Sequence, residues 1–78
     1  MPTILLTGAT GFLGSYLLKA FLNDGYKVVV LKRSNSNIWR IESHIKEVAT
    51  YDVDIQSIEL PFKEHSIDIV VHTACDYG

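Results

Sequence analysis

Three glycines recur at every third position near the amino terminus, in the segment "TGATGFLG", as Gly8, Gly11 and Gly14. Glycine has no Cβ, so backbone N–H groups in such a turn can approach an anion closely, and a following helix adds the positive end of its dipole. In a pyrophosphate-binding turn, Gly8 would permit a sharp exit from a strand. Gly11 would leave room for the phosphates, and Gly14 would let a helix approach the sheet. A flexible connection without a ligand is the alternative.

The elements around the glycines favour the phosphate-binding interpretation. The apolar run Thr3–Thr7 predicts a first strand buried on both faces. Apolar residues at helical spacing from Phe12 predict a helix, and Gly25 offers the left-handed position that ends it. Lys27–Arg33 predicts a second buried strand. The glycines therefore fall where the first strand meets its helix.

The remaining sequence continues this alternation of strands and helices. It predicts a helix over about residues 38–46, a third strand near Val48–Val53, a crossover interrupted at Pro61 and a fourth strand over Ile67–Ala74. The side chains expected to point inward from the helix and the crossover are Trp39, Ile41, Ile45, Ile58, Leu60 and Phe62. Right-handed connections then predict an α/β fold, a partial Rossmann fold with about four parallel strands in the order 3-2-1-4.

Composition narrows the class of protein. The 78 residues are enough for one small domain, and a net charge of −2 gives no electrostatic reason to expect nucleic acid. The apolar runs are too short to span a membrane, and no histidine has a ligand cluster that would indicate a metal. A single cysteine, Cys75, and the lack of a signal-like leader predict a cytoplasmic protein.

The segment "TGATGFLGSYL" strongly resembles the start of the extended short-chain dehydrogenase/reductase family, the NAD(P)-dependent epimerases, dehydratases and reductases that act largely on nucleotide sugars. The segments "YDVDI" and "IDIVVHTA" resemble motifs at the third and fourth strands of that family, so the likeness covers nearly the whole chain. The segments "LKRSNSNIWRI" and "HTACDYG" also resemble reductases that make dideoxyhexoses for lipopolysaccharide.

The resemblance implies a set of cofactor-binding residues. Those of the pyrophosphate turn would be Gly8, Thr10, Gly11, Phe12, Leu13 and Gly14. Asp54 or Asp52 would face adenine, unless both are solvated loop carboxylates. Thr73 and Ala74 would pass beside the cofactor ribose, and His72 would be a packed structural histidine with a satisfied ring N–H.

The end of the second strand predicts NADP rather than NAD. Dinucleotide-binding domains that prefer NAD carry an acidic residue there for the ribose hydroxyls, yet no Asp or Glu occurs from Gly25 to Ile41. Lys32, Arg33 and Ser34 stand in its place, and two cations with a hydroxyl suit a 2′-phosphate. The alternative is a pair of solvated charges.

No catalytic residue is predicted. The family resembled here uses a tyrosine followed four residues later by a lysine, and only Tyr16 comes near that spacing, with Lys19 on the turn helix. Residues 1–78 are thus expected to be the N-terminal part of a dinucleotide-binding domain, without its catalytic and substrate-binding parts. A free-standing nucleotide-binding or interaction module is the alternative, and a relic of the fold without a ligand is a further one.

The fourth strand predicts self-association. An incomplete sheet would leave it as an open edge, and Ile69, Val70 and Val71 are apolar and lack the lysine or proline that discourages edge pairing. A homodimer through this edge or an uncovered sheet face is expected.

Overall fold

The computed structural model describes residues 2–35, 37–57 and 59–73, so the predictions on Ile58, Ala74 and Cys75 fall outside it. Its elements are β1 (Thr3–Thr7), α1 (Phe12–Asn23), β2 (Lys27–Lys32), a 3-10 helix (Glu42–Glu47), β3 (Ala49–Asp52), α2 (Leu60–Glu64) and β4 (Ile69–His72). None of the helices in these ranges is long and apolar enough to cross a membrane.

The four strands form one parallel sheet in the order β3-β2-β1-β4, which confirms the predicted fold class and strand order. The central strands β1 and β2 pair from Thr3 with Lys27 onward. Side chains alternate between the two faces of a strand, and both faces of this pair are covered. That is why β1 and β2 are continuous apolar runs rather than alternating ones.

The core therefore has two parts, one on each face of the sheet. The first consists of Leu6, Ala9, Leu18, Val28, Val30 and Ile41, and the second of Leu5, Val29, Leu31 and Tyr51. α1 contributes Leu18 to the first part, and Phe21 and Leu22 pack against it. α1 ends where predicted, and Gly25 takes a φ of 86° just beyond it.

The helix predicted over residues 38–46 is wrong in extent and kind. Only a 3-10 helix forms, over Glu42–Glu47, and Trp39 is 61% exposed rather than inward. Ile41 is fully buried and Ile45 partly buried, as expected. The Asn37 side chain accepts the Trp39 N–H at 3.1 Å, and such a local bond offers the backbone an alternative to helix formation.

The crossover is a short helix that packs one side inward. α2 carries Pro61 in its first turn, where the missing N–H has no helical partner to lose. Leu60 is partly buried as predicted, but Phe62 is 49% exposed, so its inward placement is wrong. Residues two apart on a helix do not share a face, so Leu60 and Phe62 cannot both point inward.

A chain of hydrogen bonds ties this crossover to β3. The Tyr51 hydroxyl donates to Glu64 at 2.5 Å, and its oxygen lies 3.0 Å from Nε2 of His65. Since the one phenolic proton goes to Glu64, Nε2 of His65 is the donor in the second bond. The bond to Glu64 raises the pKa of the Tyr51 phenol, with burial and the Glu64 charge adding to the effect.

β4 is shorter and more exposed than predicted. It covers Ile69–His72 instead of Ile67–Ala74, and Ile69 and Val70 are 43% and 56% exposed. Asp68 fixes its start, because its carboxylate accepts the Thr3 N–H at 2.8 Å while its own N–H donates to the Thr3 carbonyl at 2.9 Å.

Candidate functional site

The turn after β1 is tight and is shaped by Gly8. This residue has a φ of 75°, which favours glycine, and its carbonyl accepts the Gly11 N–H at 3.0 Å. A Cβ on Gly8 would lie 1.9 Å from Oγ1 of Thr73. Gly8 is therefore required both by the backbone conformation and by the approach of the segment after β4.

Gly14 allows α1 to approach this turn. A Cβ on Gly14 would lie 1.9 Å from the Gly8 carbonyl oxygen and 2.8 Å from Cα of Ala9. Both neighbours are backbone atoms, which cannot rotate away as a side chain could. The close approach is thus to the turn itself rather than to the strands of the sheet.

Gly11 is different, because its backbone does not require glycine. It is the N-cap of α1, with a φ of −80° and a ψ of 176°, a conformation open to any residue. The backbone conformation therefore does not by itself account for glycine at position 11. The prediction that Gly11 makes room for phosphates would account for it.

The first turn of α1 presents backbone donors. The first helical bond runs from the Ser15 N–H to the Gly11 carbonyl at 3.0 Å, so the N–H groups of Phe12, Leu13 and Gly14 have no carbonyl of their own helix to reach. This turn contains no acidic residue and no side-chain cap. The positive end of the helix is consequently not neutralised by an acidic side chain of that turn.

Arg40 brings a positive charge to the same turn. Its Nη1 donates to the Thr10 carbonyl at 3.4 Å, and its guanidinium lies 4.6 Å from the centre of the Trp39 ring. Sequence reasoning did not single out Arg40. It is thirty residues from Thr10, and the contact depends on how the segment after β2 folds back.

The ends of β2 and β3 are joined by two polar contacts. Lys32 forms an ion pair with Asp52. Asp54 accepts the Ser34 backbone N–H at 2.9 Å and the Ser34 hydroxyl at 2.7 Å. These two bonds, the hydroxyl first, hold the pKa of the Asp54 carboxyl below its usual value, and the charge of Arg33 adds to the effect. Both aspartates therefore have partners within the chain, and Asp54 is exposed to solvent as well.

The segment after β4 packs on the end of β1. Thr73 is buried, and its hydroxyl donates to the Thr7 carbonyl at 2.8 Å. His72 is exposed rather than packed, which corrects the expectation, although its Nδ1 lies 2.6 Å from Oγ1 of Thr7. The exposure follows from the position of β4 at the edge of the sheet. Ala74, predicted beside Thr73 at the ribose, lies outside the described residues.

All of these groups lie at or just beyond the carboxyl ends of the four parallel strands. The glycine turn follows β1, and Thr73 follows β4. Lys32 is the last residue of β2, and Arg33 and Ser34 follow it. Asp52 is the last residue of β3, and Asp54 lies two residues beyond it. In open parallel sheets, ligands bind in the crevice outside the carboxyl ends of the strands. Among these groups, the first turn of α1 offers backbone donors for an anion, and Arg40 adds positive charge beside it. In the described part of the chain, no three His, Cys, Asp or Glu side chains could together hold a metal ion.

The fold and the position of this turn are those of the Rossmann class of α/β domains. The chain belongs to the NAD dependent epimerase/dehydratase family, which it matches over residues 4–78. It is 33% identical over 75 residues to CDP-abequose synthase of Salmonella muenchen, covering 96% of this chain and 24% of that protein. It is 32% identical over 87 aligned positions to UDP-glucose 4-epimerase of Drosophila melanogaster, covering 94% of this chain and 25% of that protein.

Solved structures agree with this assignment. UDP-glucose 4-epimerase from Bifidobacterium longum, in complex with NAD+ and UDP, is 32% identical with a TM-score of 0.74, over 92% of this chain and 24% of that one. Yeast methylglyoxal/isovaleraldehyde reductase, complexed with NADPH, is 25% identical with a TM-score of 0.73, over 92% of this chain and 27% of that one. The chain thus spans about a quarter of the length of its relatives, and the predicted family is confirmed.

Proposed function

We propose that this chain binds the adenosine diphosphate portion of NAD(P), as the cofactor-binding part of an enzyme that acts on a nucleotide sugar. The observation that carries the proposal is the glycine turn, in which a Cβ on Gly8 or Gly14 would collide with neighbouring atoms, while the backbone conformation of Gly11 is open to any residue. Relatives named as nucleotide-sugar epimerases and synthases support the substrate class.

The groups present fit such a cofactor. The N–H groups at the start of α1 would hold the pyrophosphate, with Gly11 leaving room for it and Arg40 adding positive charge beside Thr10. Thr73 would lie beside the ribose of the cofactor, and Asp54 or Asp52 would face its adenine. When bound, the nicotinamide supplies the hydride acceptor or donor. This chain's own residues bind and orient the cofactor, and no catalytic role is assigned to any of them.

Calorimetric titration with ADP-ribose, NADPH and NADH tests this function. We expect weak but measurable affinity for ADP-ribose. Complete dinucleotides should bind little better through their nicotinamide end, because the chain spans only about a quarter of its relatives' length. No heat of binding for any of the three at millimolar concentration would contradict the proposal and favour a module without a nucleotide ligand.

We further propose that NADP is preferred over NAD. Arg33 follows β2 directly, and a guanidinium pairs well with phosphate oxygens. The preference should be modest, since Lys32 and Ser34 already hold carboxylates. NADPH should bind about threefold to tenfold more tightly than NADH at low salt, and the ratio should fall with added salt. Arg33→Ala should reduce it likewise. Equal affinities at low salt would refute the preference.

The location and the partners belong to the same proposal. The single cysteine is in keeping with a reducing compartment, and we place the protein in the cytoplasm. The nucleotide sugar would be a partner of the complete enzyme only. We propose no nucleic acid or membrane partner, because the net charge is only −2.

We also propose that the chain forms a homodimer through β4. The strand is the edge of the sheet, and Ile69 and Val70 expose their side chains beside its unpaired backbone groups. Light scattering at micromolar concentration should give about twice the mass of one chain. Val70→Lys, which puts a charge on this edge, should shift the population toward the monomer. A wild-type chain that stays monomeric would contradict this pairing.

A further inference from the structure

Both carboxylate oxygens of Asp54 accept hydrogen bonds from Ser34. Oδ1 accepts the Ser34 backbone N–H at 2.9 Å, and Oδ2 accepts the Ser34 hydroxyl at 2.7 Å. Both donors of Ser34 are therefore taken up by a negative charge. The same two hydrogen bonds lower the pKa of the Asp54 carboxyl, in agreement with the geometry.

The position of Ser34 relates this contact to the choice between NAD and NADP. It lies two residues beyond the end of β2, where dinucleotide-binding domains recognise either the ribose 2′-hydroxyl or the 2′-phosphate. A backbone N–H and a hydroxyl side by side are suitable donors for phosphate oxygens. Here a carboxylate of the same chain already occupies them.

We propose that Asp54 is a specificity-determining residue that opposes binding of a 2′-phosphate at Ser34. The inference rests on the proposed dinucleotide-binding function. A phosphate that approached Ser34 would meet the Asp54 charge at short range and would have to displace it. A 2′-hydroxyl, in contrast, can donate a hydrogen bond to the same carboxylate. Asp54 thus acts against Arg33, whose charge favours the phosphate.

The test compares NADP+ and NAD+, which differ only in the 2′-phosphate, on the full chain and on Asp54→Asn. Asparagine keeps the shape and an acceptor oxygen but removes the charge. We expect the ratio of NADP+ affinity to NAD+ affinity to rise about fivefold in this variant, because any change in contacts that both cofactors share cancels in the ratio. The gain should shrink at high salt, where exposed charges are screened.

Two further variants separate this role from general effects. Asp24→Asn removes the same charge from the C-cap of α1, which lies just before the amino end of β2. This variant should leave the ratio of the two affinities unchanged. Ser34→Ala removes one of the contested donors. In the double variant Ser34→Ala/Asp54→Asn, the rise in this ratio should be about half or less of that in Asp54→Asn alone.

The outcomes distinguish this inference from the proposed function. If the wild-type chain binds neither dinucleotide, the proposed function fails. If it binds both, but Asp54→Asn changes them equally or not at all, only the role of Asp54 is overturned. That role is also overturned if Asp24→Asn raises the ratio as much as Asp54→Asn does.

Discussion

Replacing Gly11 with valine should abolish measurable binding of ADP-ribose while the chain remains folded. The φ of −80° at Gly11 is available to valine, so the backbone conformation does not oppose the change. The new side chain would stand between the donors of α1 and the pyrophosphate, with an expected loss in affinity of at least about tenfold. Titration calorimetry measures the binding, and thermal unfolding followed by circular dichroism verifies the fold.

Gly11→Ala provides the graded control for this experiment. A single methyl group should reduce the affinity by less than valine does, and an alanine N-cap should cost only about 1 kcal/mol of stability at most. If folded Gly11→Val binds ADP-ribose as the wild type does, the glycine turn does not hold the phosphates, and a purely connecting role for the turn becomes the better interpretation.

Replacing Gly14 with alanine should strongly destabilise the protein, although intrinsic helix propensity favours the change. Alanine is better than glycine in a helix interior by about 1 kcal/mol. Its Cβ, however, would lie 1.9 Å from the Gly8 carbonyl oxygen, so α1 or the turn must move. We expect a net loss of at least about 3 kcal/mol in the free energy of unfolding. Urea unfolding followed by circular dichroism measures it.

Gly25→Ala is the matched control for Gly14→Ala. Gly25 has a φ of 86°, but no atom lies within 4 Å of the place that its Cβ would take, so the change meets backbone strain without a collision. A loss of about 1 kcal/mol is expected. A Gly14→Ala variant that is no less stable than Gly25→Ala would show that α1 does not pack closely on the turn.

The features of the fold that could be predicted are those set by local pattern. The runs Thr3–Thr7 and Lys27–Arg33 predict strands covered on both faces, and the structure has β1 at Thr3–Thr7 and β2 at Lys27–Lys32. The stop at Gly25 and the parallel order of four strands follow from similarly local signals and from the handedness of crossovers. The glycine spacing, together with the strand and the helix predicted on either side of it, located the turn between β1 and α1.

What sequence reasoning missed depends on contacts between distant residues. The bond of Arg40 to Thr10 joins residues thirty apart. The missed end of the helix is a local exception, since the Trp39 N–H donates to the Asn37 side chain two residues away. The carboxylate contacts of Lys32 and Ser34 depend on the register of β2 and β3, in which paired residues differ by twenty. Once that register is known, Lys32 falls opposite Asp52. The same offset, continued beyond the strands, relates Ser34 to Asp54.

Because Thr73 packs against Gly8, the phosphate turn is not a self-contained segment of the chain. The Thr73 hydroxyl is bonded to the Thr7 carbonyl and stands where a Cβ of Gly8 would be. The turn is therefore assembled from two segments sixty-six residues apart at Thr7 and Thr73. Residues 3–25 transplanted alone into another scaffold would bring the glycines but not Thr73, the residue that packs against Gly8.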